Sequence, residues 1–295
     1  MIEVKNLSKS FDGFAALSEL SLTVPDGAVY GLVGPNGAGK STVIRHITGI
    51  YRPDCGEVRI DGQPVYENQE IKSRLAYIPD DLSHHAGESI REISEFYRHI
   101  YPRFNQARFT QLSEVFPLNQ KQPLRRFSKG MQKQAAFWLA ISCMPDYLIL
   151  DEPVDGLDPV MRRQIWSLLL EDVASRGMSV LVSSHNLREL EDVCDHVGVM
   201  HRGRLLLERS LEELQGNVVK VQLVTDAEIP DGLEILHASS VGRIRTLIVR
   251  GNAGQIEDRL SACSPLLCDL LPLSLEEIFI YELGGMDYDV KNILL

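Results

Sequence analysis

Over the first 35 positions, apolar residues come in short alternating or compact runs. IEVKNL alternates apolar with polar, SLTV is closed by Pro25-Asp26-Gly27, and VYGLV is a compact apolar run ending at glycine. All three read as short strands. After GPNGAGKST, the segment VIRHITGI reads as a helix stopped by the turn-rich YRPDCGE, and VRIDG as a further strand and turn. Between about Gly87 and Met144 the period changes. SIREISEFYRHI and FTQLSEVF place apolar residues three and four apart, the spacing of a helix that buries one face.

Short periods return with YLIL, the apolar run between Asp146 and Asp151, as expected of a parallel strand buried on both faces. Asp158-Pro159 then opens a helix, with aspartate as cap and proline in the first turn, and Gly177 closes it. SVLVSSH is another buried strand, and a helix is expected after it with Leu187, Leu190, Cys194 and Val197 on one stripe. VGVM-HRGR-LLLE reads as a hairpin around Gly203. Beyond Gln215, VVKVQLV and RIRTLIV predict strands, GQIEDRLSAC a helix, and SLEEIFIYEL a helix opened by a capping box from Ser274 to Glu277. The expected organisation is a main α/β domain over 1–215 with a helical subdomain over about 82–145, a small C-terminal α/β domain over 216–284, and a tail over 285–295.

Composition narrows the class. The chain has 295 residues, of which 44% are hydrophobic and 24% charged, so a buried core is expected and wholesale disorder is not. A net charge of −11 argues against nucleic acid as a partner. Lys121, Arg125, Arg126 and Lys129 make a local basic cluster that reads as a solvated face. The five cysteines contain no CxxC pair and fit reduced cytosolic thiols. No stretch approaches the ~20 apolar residues needed to span a bilayer.

The chemistry is concentrated in a few motifs. Gly34-Pro35-Asn36-Gly37-Ala38-Gly39-Lys40-Ser41 fits the phosphate-binding loop, between an expected strand and an expected helix. Glycines let the backbone N–H groups curl around a polyphosphate, and the helix adds the positive end of its dipole. Lys40 would reach the β and γ phosphates, and Ser41 would ligate Mg²⁺. Asp151-Glu152 follows YLIL, on a strand expected beside that of the loop. The first carboxylate suits Mg²⁺, and the second suits orienting or deprotonating a water. Surface acids at a strand end are the bland alternative, which the upstream loop outweighs.

FSKGMQKQ at 127–134, DGLDP at 155–159 and SSH at 183–185 follow in the order seen in ABC-type ATPases, and over residues 1–215 the chain resembles that family. The SKGM wording, the single cassette and the LSLEEIF ending make it similar to bacterial ABC-2-type exporter ATPases, including antibiotic-resistance and acetoin-operon-like members. The resemblance implies a doubly wound α/β P-loop NTPase fold with an antiparallel β layer and a helical subdomain. It implies ATP and Mg²⁺ held by Gly34, Asn36, Gly37, Gly39, Lys40, Ser41 and Thr42, with Ser41 and Asp151 toward the metal. Glu152 would activate water, His185 would read the γ-phosphate, and Phe11 would stack on adenine. Ser128, Gly130 and Asp158 would complete a site on the opposite subunit of a homodimer or heterodimer.

Each of these residues also has a structural reading. Ser128 and Asp158 cap helices in either case, His185 suits a packed core histidine, and Phe11 suits a core aromatic. Lys129 and Met131 depart from the family's signature wording, and Asp80 stands where its glutamine is expected. His84 and His85 read as solvated loop residues rather than metal ligands. The partner implied is a multi-span permease on a separate chain, most naturally an exporter, with this subunit cytoplasmic and peripheral on the inner face of the membrane. The alternatives are a soluble ABC ATPase in a role such as cofactor assembly, and a regulator that binds nucleotide without hydrolysing it.

Overall fold

The computed structural model describes residues 1–82 and 87–278, apart from positions 217, 226, 228, 231 and 262. The chain gathers into two compact units. One comprises Met1–His185 with Val193–Glu208, the other Asn186–Asp192 with the described residues from Arg209 onward. His84, His85 and the 285–295 tail lie outside the described residues.

The first unit opens with β1 (Ile2–Phe11) and β2 (Phe14–Val24), an antiparallel pair, followed by β3 (Val29–Val33). Then come α1 (Lys40–Ile47), β4 (Cys55–Ile60), β5 (Gln63–Pro64), α2 (Gln69–Ser73) and β6 (Leu75–Ile78). The strands β2-β1-β4-β5 make a four-stranded antiparallel sheet, the layer expected near the N-terminus.

Three helices interrupt the α/β pattern: α3 (Ile90–Ile100), α4 (Gln106–Val115) and α5 (Lys129–Ser142). Ser89 and Glu92 start α3 with a reciprocal capping box, which satisfies backbone donors that the helix itself leaves free. Trp138 of α5 is fully buried, stacks 4.9 Å from Phe109 of α4, and donates its indole N–H to the Phe109 carbonyl at 2.8 Å. Truncating such an anchor to alanine typically costs about 3–5 kcal/mol.

The α/β pattern resumes with β7 (Tyr147–Asp151), α6 (Pro159–Arg176), β8 (Ser179–Ser184), β9 (His196–His201) and β10 (Arg204–Ser210). Asp158 caps α6, and Gly177 ends it in a left-handed conformation, as the residue pattern indicated. The central sheet runs β10-β9-β3-β8-β7-β6, with β9, β3, β8, β7 and β6 parallel. All residues of β3, β7 and β8 are buried, because helices and the antiparallel layer cover both faces of a doubly wound sheet.

Two expectations need correction. β7 is not beside β3, since β8 lies between them. The helix expected after SVLVSSH is a single 3-10 turn, Leu187–Glu189, and Val197 belongs to β9. The four residues expected on its stripe, Leu187, Leu190, Cys194 and Val197, are buried without sharing a helix. Polar contacts hold this segment in another shape. Arg188 forks onto one Glu276 oxygen at 3.0 and 2.8 Å, and the Leu275 N–H donates to Glu191 at 3.0 Å. Tertiary contacts override the local helical period.

The second unit adds α7 (Leu211–Gly216), β11 (Val218–Val224), β12 (Glu234–Val241), β13 (Ile244–Arg250), α8 (Ala253–Ser261) and β14 (Leu267–Leu271). Its antiparallel sheet is ordered β12-β13-β11-β14. Alternate residues of β11 and β13 (Val219, Val221, Leu223, Leu247, Val249) pack with Ile256 and Leu260 of α8 in a separate core. Ser274 and Glu277 form the expected capping box, and Lys220 donates to Glu277 at 2.7 Å.

Candidate functional site

The loop 34–39 joins the buried strand β3 to α1. A methyl group on Gly34 would come within 2.3 Å of the Met200 carbonyl oxygen, so no larger residue fits where the loop passes the sheet. Gly39 caps α1 with a φ of +105°, a backbone shape that side-chain-bearing residues rarely adopt, and offers no side-chain cap. The first N–H groups of α1 therefore remain available to an external anion. Asn36 and Gly37 are exposed at the loop's tip, and Ser41 and Thr42 are half-buried in the first turn of α1.

Lys40 is buried, and its ammonium donates to the Gly34 carbonyl at 2.5 Å and the Pro35 carbonyl at 3.4 Å. It also pairs with Glu152 Oε1 at 3.2 Å. The lysine is thus folded back over its own loop, with its charge compensated by a carboxylate.

Asp151 ends β7 and is 3% exposed. Ser183, at the end of β8, donates its hydroxyl to Asp151 Oδ1 at 2.7 Å and accepts the Glu152 N–H at 3.1 Å. The intervening strand therefore does chemical work, since its serine orders both acids. Glu152 has a φ of +46°, which turns its side chain out of the strand's course. Its Oε2 accepts from the His185 backbone N–H at 3.3 Å and lies 2.9 Å from His185 Nδ1. Ser41 and Asp151 line one cavity of about 620 Å³ together with Arg45, Tyr77 and Asp80. Burial, then the Asp151 charge, pushes the Tyr77 phenol up to about 12.

The remaining candidates are placed apart from this cluster. Phe11 ends β1, is 39% exposed, and has its ring 5.3 Å from that of Tyr51, with Lys9 Nζ 5.5 Å from its centroid. Ser128 caps α5, accepting the Met131 N–H at 3.3 Å. A methyl on Gly130 would meet the Gly156 carbonyl at 2.6 Å, so α5 packs its first turn on the 153–157 loop. Asp158 accepts the Val160 and Met161 N–H groups at 3.0 Å. These three residues shape local backbone, and Gly130 lies against Gly156 and Leu157 of the 153–157 loop rather than against the phosphate loop.

Four residues near the candidates escaped the sequence reading: Ser183, Tyr51, Asp155 and Lys133. Ligand atoms of Asp155, Glu152 and His185 all lie within 4.8 Å of one another. For Ser183 and Asp155 the signal was available, because both lie within motifs already singled out. Lys133 also lies in a motif already singled out, at 127–134, but its burial against Glu152 and Asp80 is set by folding, and Tyr51 carried no signal.

A buried parallel sheet, a phosphate loop between strand and helix, and paired acids at a strand end define an α/β P-loop ATPase cassette. Comparison with known proteins agrees. The family model described as ABC transporter matches residues 17–155. The ABC transporter ATP-binding protein YtrB of Bacillus subtilis (strain 168) is 30% identical over 97% of this chain and 99% of its own length. The bacitracin transport ATP-binding protein BcrA of Bacillus licheniformis is 33% identical over 73% of this chain and 71% of its own. A solved ATP-binding subunit of an ABC transporter superposes with a TM-score of 0.68, at 29% identity over 73% of this chain and 92% of that one. The chain belongs to the family of ABC transporter ATP-binding proteins, whose cassettes bind and hydrolyse ATP. Among the described residues no helix is long and apolar enough to cross a membrane.

Proposed function

We propose that this chain hydrolyses ATP through Glu152 as general base, in a dimer whose two nucleotide sites each combine residues of both subunits, and that this powers an exporter. One observation carries the reading: the Glu152 carboxylate, next to a buried aspartate, sits between the phosphate-loop lysine at 3.2 Å and His185 at 2.9 Å. A base must be aimed by neighbours that can also let it go.

In this reading ATP draws Lys40 from the carbonyls of its own loop to the β and γ phosphates, which frees Glu152 Oε1. The loop N–H groups of 34–39 and the first turn of α1 hold the phosphates, with Asn36, Gly37, Ser41 and Thr42 lining the approach. Mg²⁺ suits the donor set, because Ser41 and the buried Asp151 share one cavity and Ser183 leaves the second aspartate oxygen unclaimed. Bound there, it would neutralise charge on the phosphate oxygens. Glu152 takes the proton of the attacking water, and His185 donates toward the γ-phosphate. Phe11 provides a ring face for adenine, backed by Tyr51.

Ser128 and Gly130, at the N-terminus of α5, and Asp158 serve the nucleotide held by the opposite subunit, whether that is a second copy or a related chain. The permease is a separate multi-span protein, and this subunit sits against it on the cytoplasmic face. The resemblance in the SKGM and LSLEEIF segments supports export.

Glu152→Gln tests the reading. It keeps size and hydrogen bonding but removes the base, so kcat should fall about 10²–10⁴-fold while ATP still binds and gathers the chain into a nucleotide-locked dimer. Turnover within a few-fold of wild type would remove Glu152 from its role.

A further inference from the structure

In the second turn of α5, Lys133 is only 5% exposed, although nothing in the phosphate loop or the paired acids requires a cation there. Removing an ammonium group from water costs several kcal/mol unless acceptors replace its hydration. Two acceptors meet this one. The Glu152 carbonyl oxygen lies 2.5 Å from Nζ, and Asp80 Oδ1 lies 3.5 Å away. The Asp80 side chain is 62% exposed, so the second contact is the looser.

The first contact falls on a strained residue. A side-chain-bearing residue in the left-handed region is strained, and such a shape persists only where its surroundings hold it. Both polar groups of the Glu152 backbone are held, the N–H by Ser183 at 3.1 Å and the carbonyl by Lys133. The same backbone turn aims the carboxylate at Lys40 and His185.

We propose that Lys133 is a positioning residue for ATP hydrolysis: it pins the Glu152 backbone in the conformation that aims its carboxylate, and Asp80 keeps Lys133 in place. This rests on the reading of Glu152 as the base. The grip joins three pieces of chain, namely α5, the loop after β6 and the end of β7. It gives Asp80 a task that an amide at that position does less well, because a carboxylate pairs with a buried cation. A shift of the loop after β6 would slacken Lys133 and spoil the aim of Glu152.

Steady-state kinetics with Mg-ATP on the full chain test it. Lys133→Met keeps the apolar stem and removes the donor. Its kcat should fall about 10- to 100-fold with KM for ATP within about two-fold of wild type, the mark of lost aim rather than lost binding. Lys133→Arg, which still donates to the carbonyl, should recover part of the loss. Asp80→Asn removes the charge that faces Lys133 and should lower kcat about three-fold, yet cost nothing more when added to Lys133→Met. Wild-type kcat in Lys133→Met, or full additivity of the two losses, overturns the proposal. Should Lys133→Met fail to fold, Asp80→Asn decides alone, and wild-type kcat there overturns it. Glu152→Gln run in parallel separates the two readings. Wild-type turnover in Glu152→Gln removes the base itself, whereas loss there beside wild-type turnover in Lys133→Met removes only the role of Lys133.

Discussion

The two groups of candidate residues differ in what they do within one chain. At the ends of β3, β7 and β8, Lys40, Asp151, Glu152, Ser183 and His185 hold one another in a continuous set of contacts of 2.7–3.3 Å. Ser128, Gly130 and Asp158 instead serve their own backbone, capping α5 and α6 and packing one against the 153–157 loop. The first group is a charged cluster whose members compensate one another. The second caps two helices and packs the start of α5 closely on the 153–157 loop. Under the proposed composite site, these are two half-sites of opposite character, the second serving a nucleotide held by another subunit.

Mixing variants breaks or confirms that division outright. Lys40→Ala should disable the first half-site and Ser128→Arg should block the second, so either homodimer alone should be inactive. If each site draws one half from each subunit, an equal mixture should recover about a quarter of wild-type ATPase activity, because half the dimers are mixed and each keeps one intact site. ATP trapped by the mixture is measured alongside turnover, since coupling between sites would mask recovery in turnover alone. No recovery by either measure would return the whole site to a single chain.

A smaller effect sharpens the boundary of the first half-site. Phe11→Ala should raise KM for ATP about 2- to 10-fold with kcat nearly unchanged, as befits loss of one stacking face. A fall in kcat with constant KM would place the ring with the reacting groups instead. GTP assayed in parallel reports whether the ring discriminates between bases.

The smallest effect comes from charges remote from both groups. Burial raises the Asp61 pKa, but hydrogen bonds from Tyr147, the Met1 amino group and Arg74 outweigh it and bring the carboxyl down from 3.8 to about 2. A carboxyl with a depressed folded pKa stabilises fully above its unfolded value, and that stability is lost as pH falls through the folded one. The Asp61 contribution should therefore be constant above about pH 4 and disappear between about pH 4 and 2. Because the side chain is partly exposed, it is worth under about 1 kcal/mol. Urea unfolding of wild type and Asp61→Asn should differ at pH 5 and converge toward pH 2, and a gap that widens on acidification would contradict the assignment.

Much of this molecule could be read from residue order alone, and the exceptions share a cause. The phosphate loop, the paired acids, the capping residues Ser128, Asp158 and Ser274, and the buried strands β3, β7 and β8 each depend on residues close together in the chain. Their chemistry or periodicity is therefore visible locally. The helix expected over Leu187–Val197 failed because Arg188 and Glu191 answer to residues some 84 to 88 positions away. Lys133 passed for an ordinary helix residue, because its burial depends on Glu152 and Asp80, which lie on other elements.

Sequence by itself determined the class of chemistry, because binding a polyphosphate demands glycines, a lysine and a hydroxyl at fixed spacing that few other needs would select. It also determined where strands and most helices lie, because burial of one or both faces leaves a period of its own. Strand order was decided only by the tertiary structure, which inserted β8 between the loop strand and the acids and so brought Ser183 onto the Asp151 carboxylate and the Glu152 backbone N–H. The same is true of the left-handed turn at Glu152 and the buried cation that holds it. Such contacts join residues distant in the chain, and no local pattern of apolar and polar positions encodes which of them will meet.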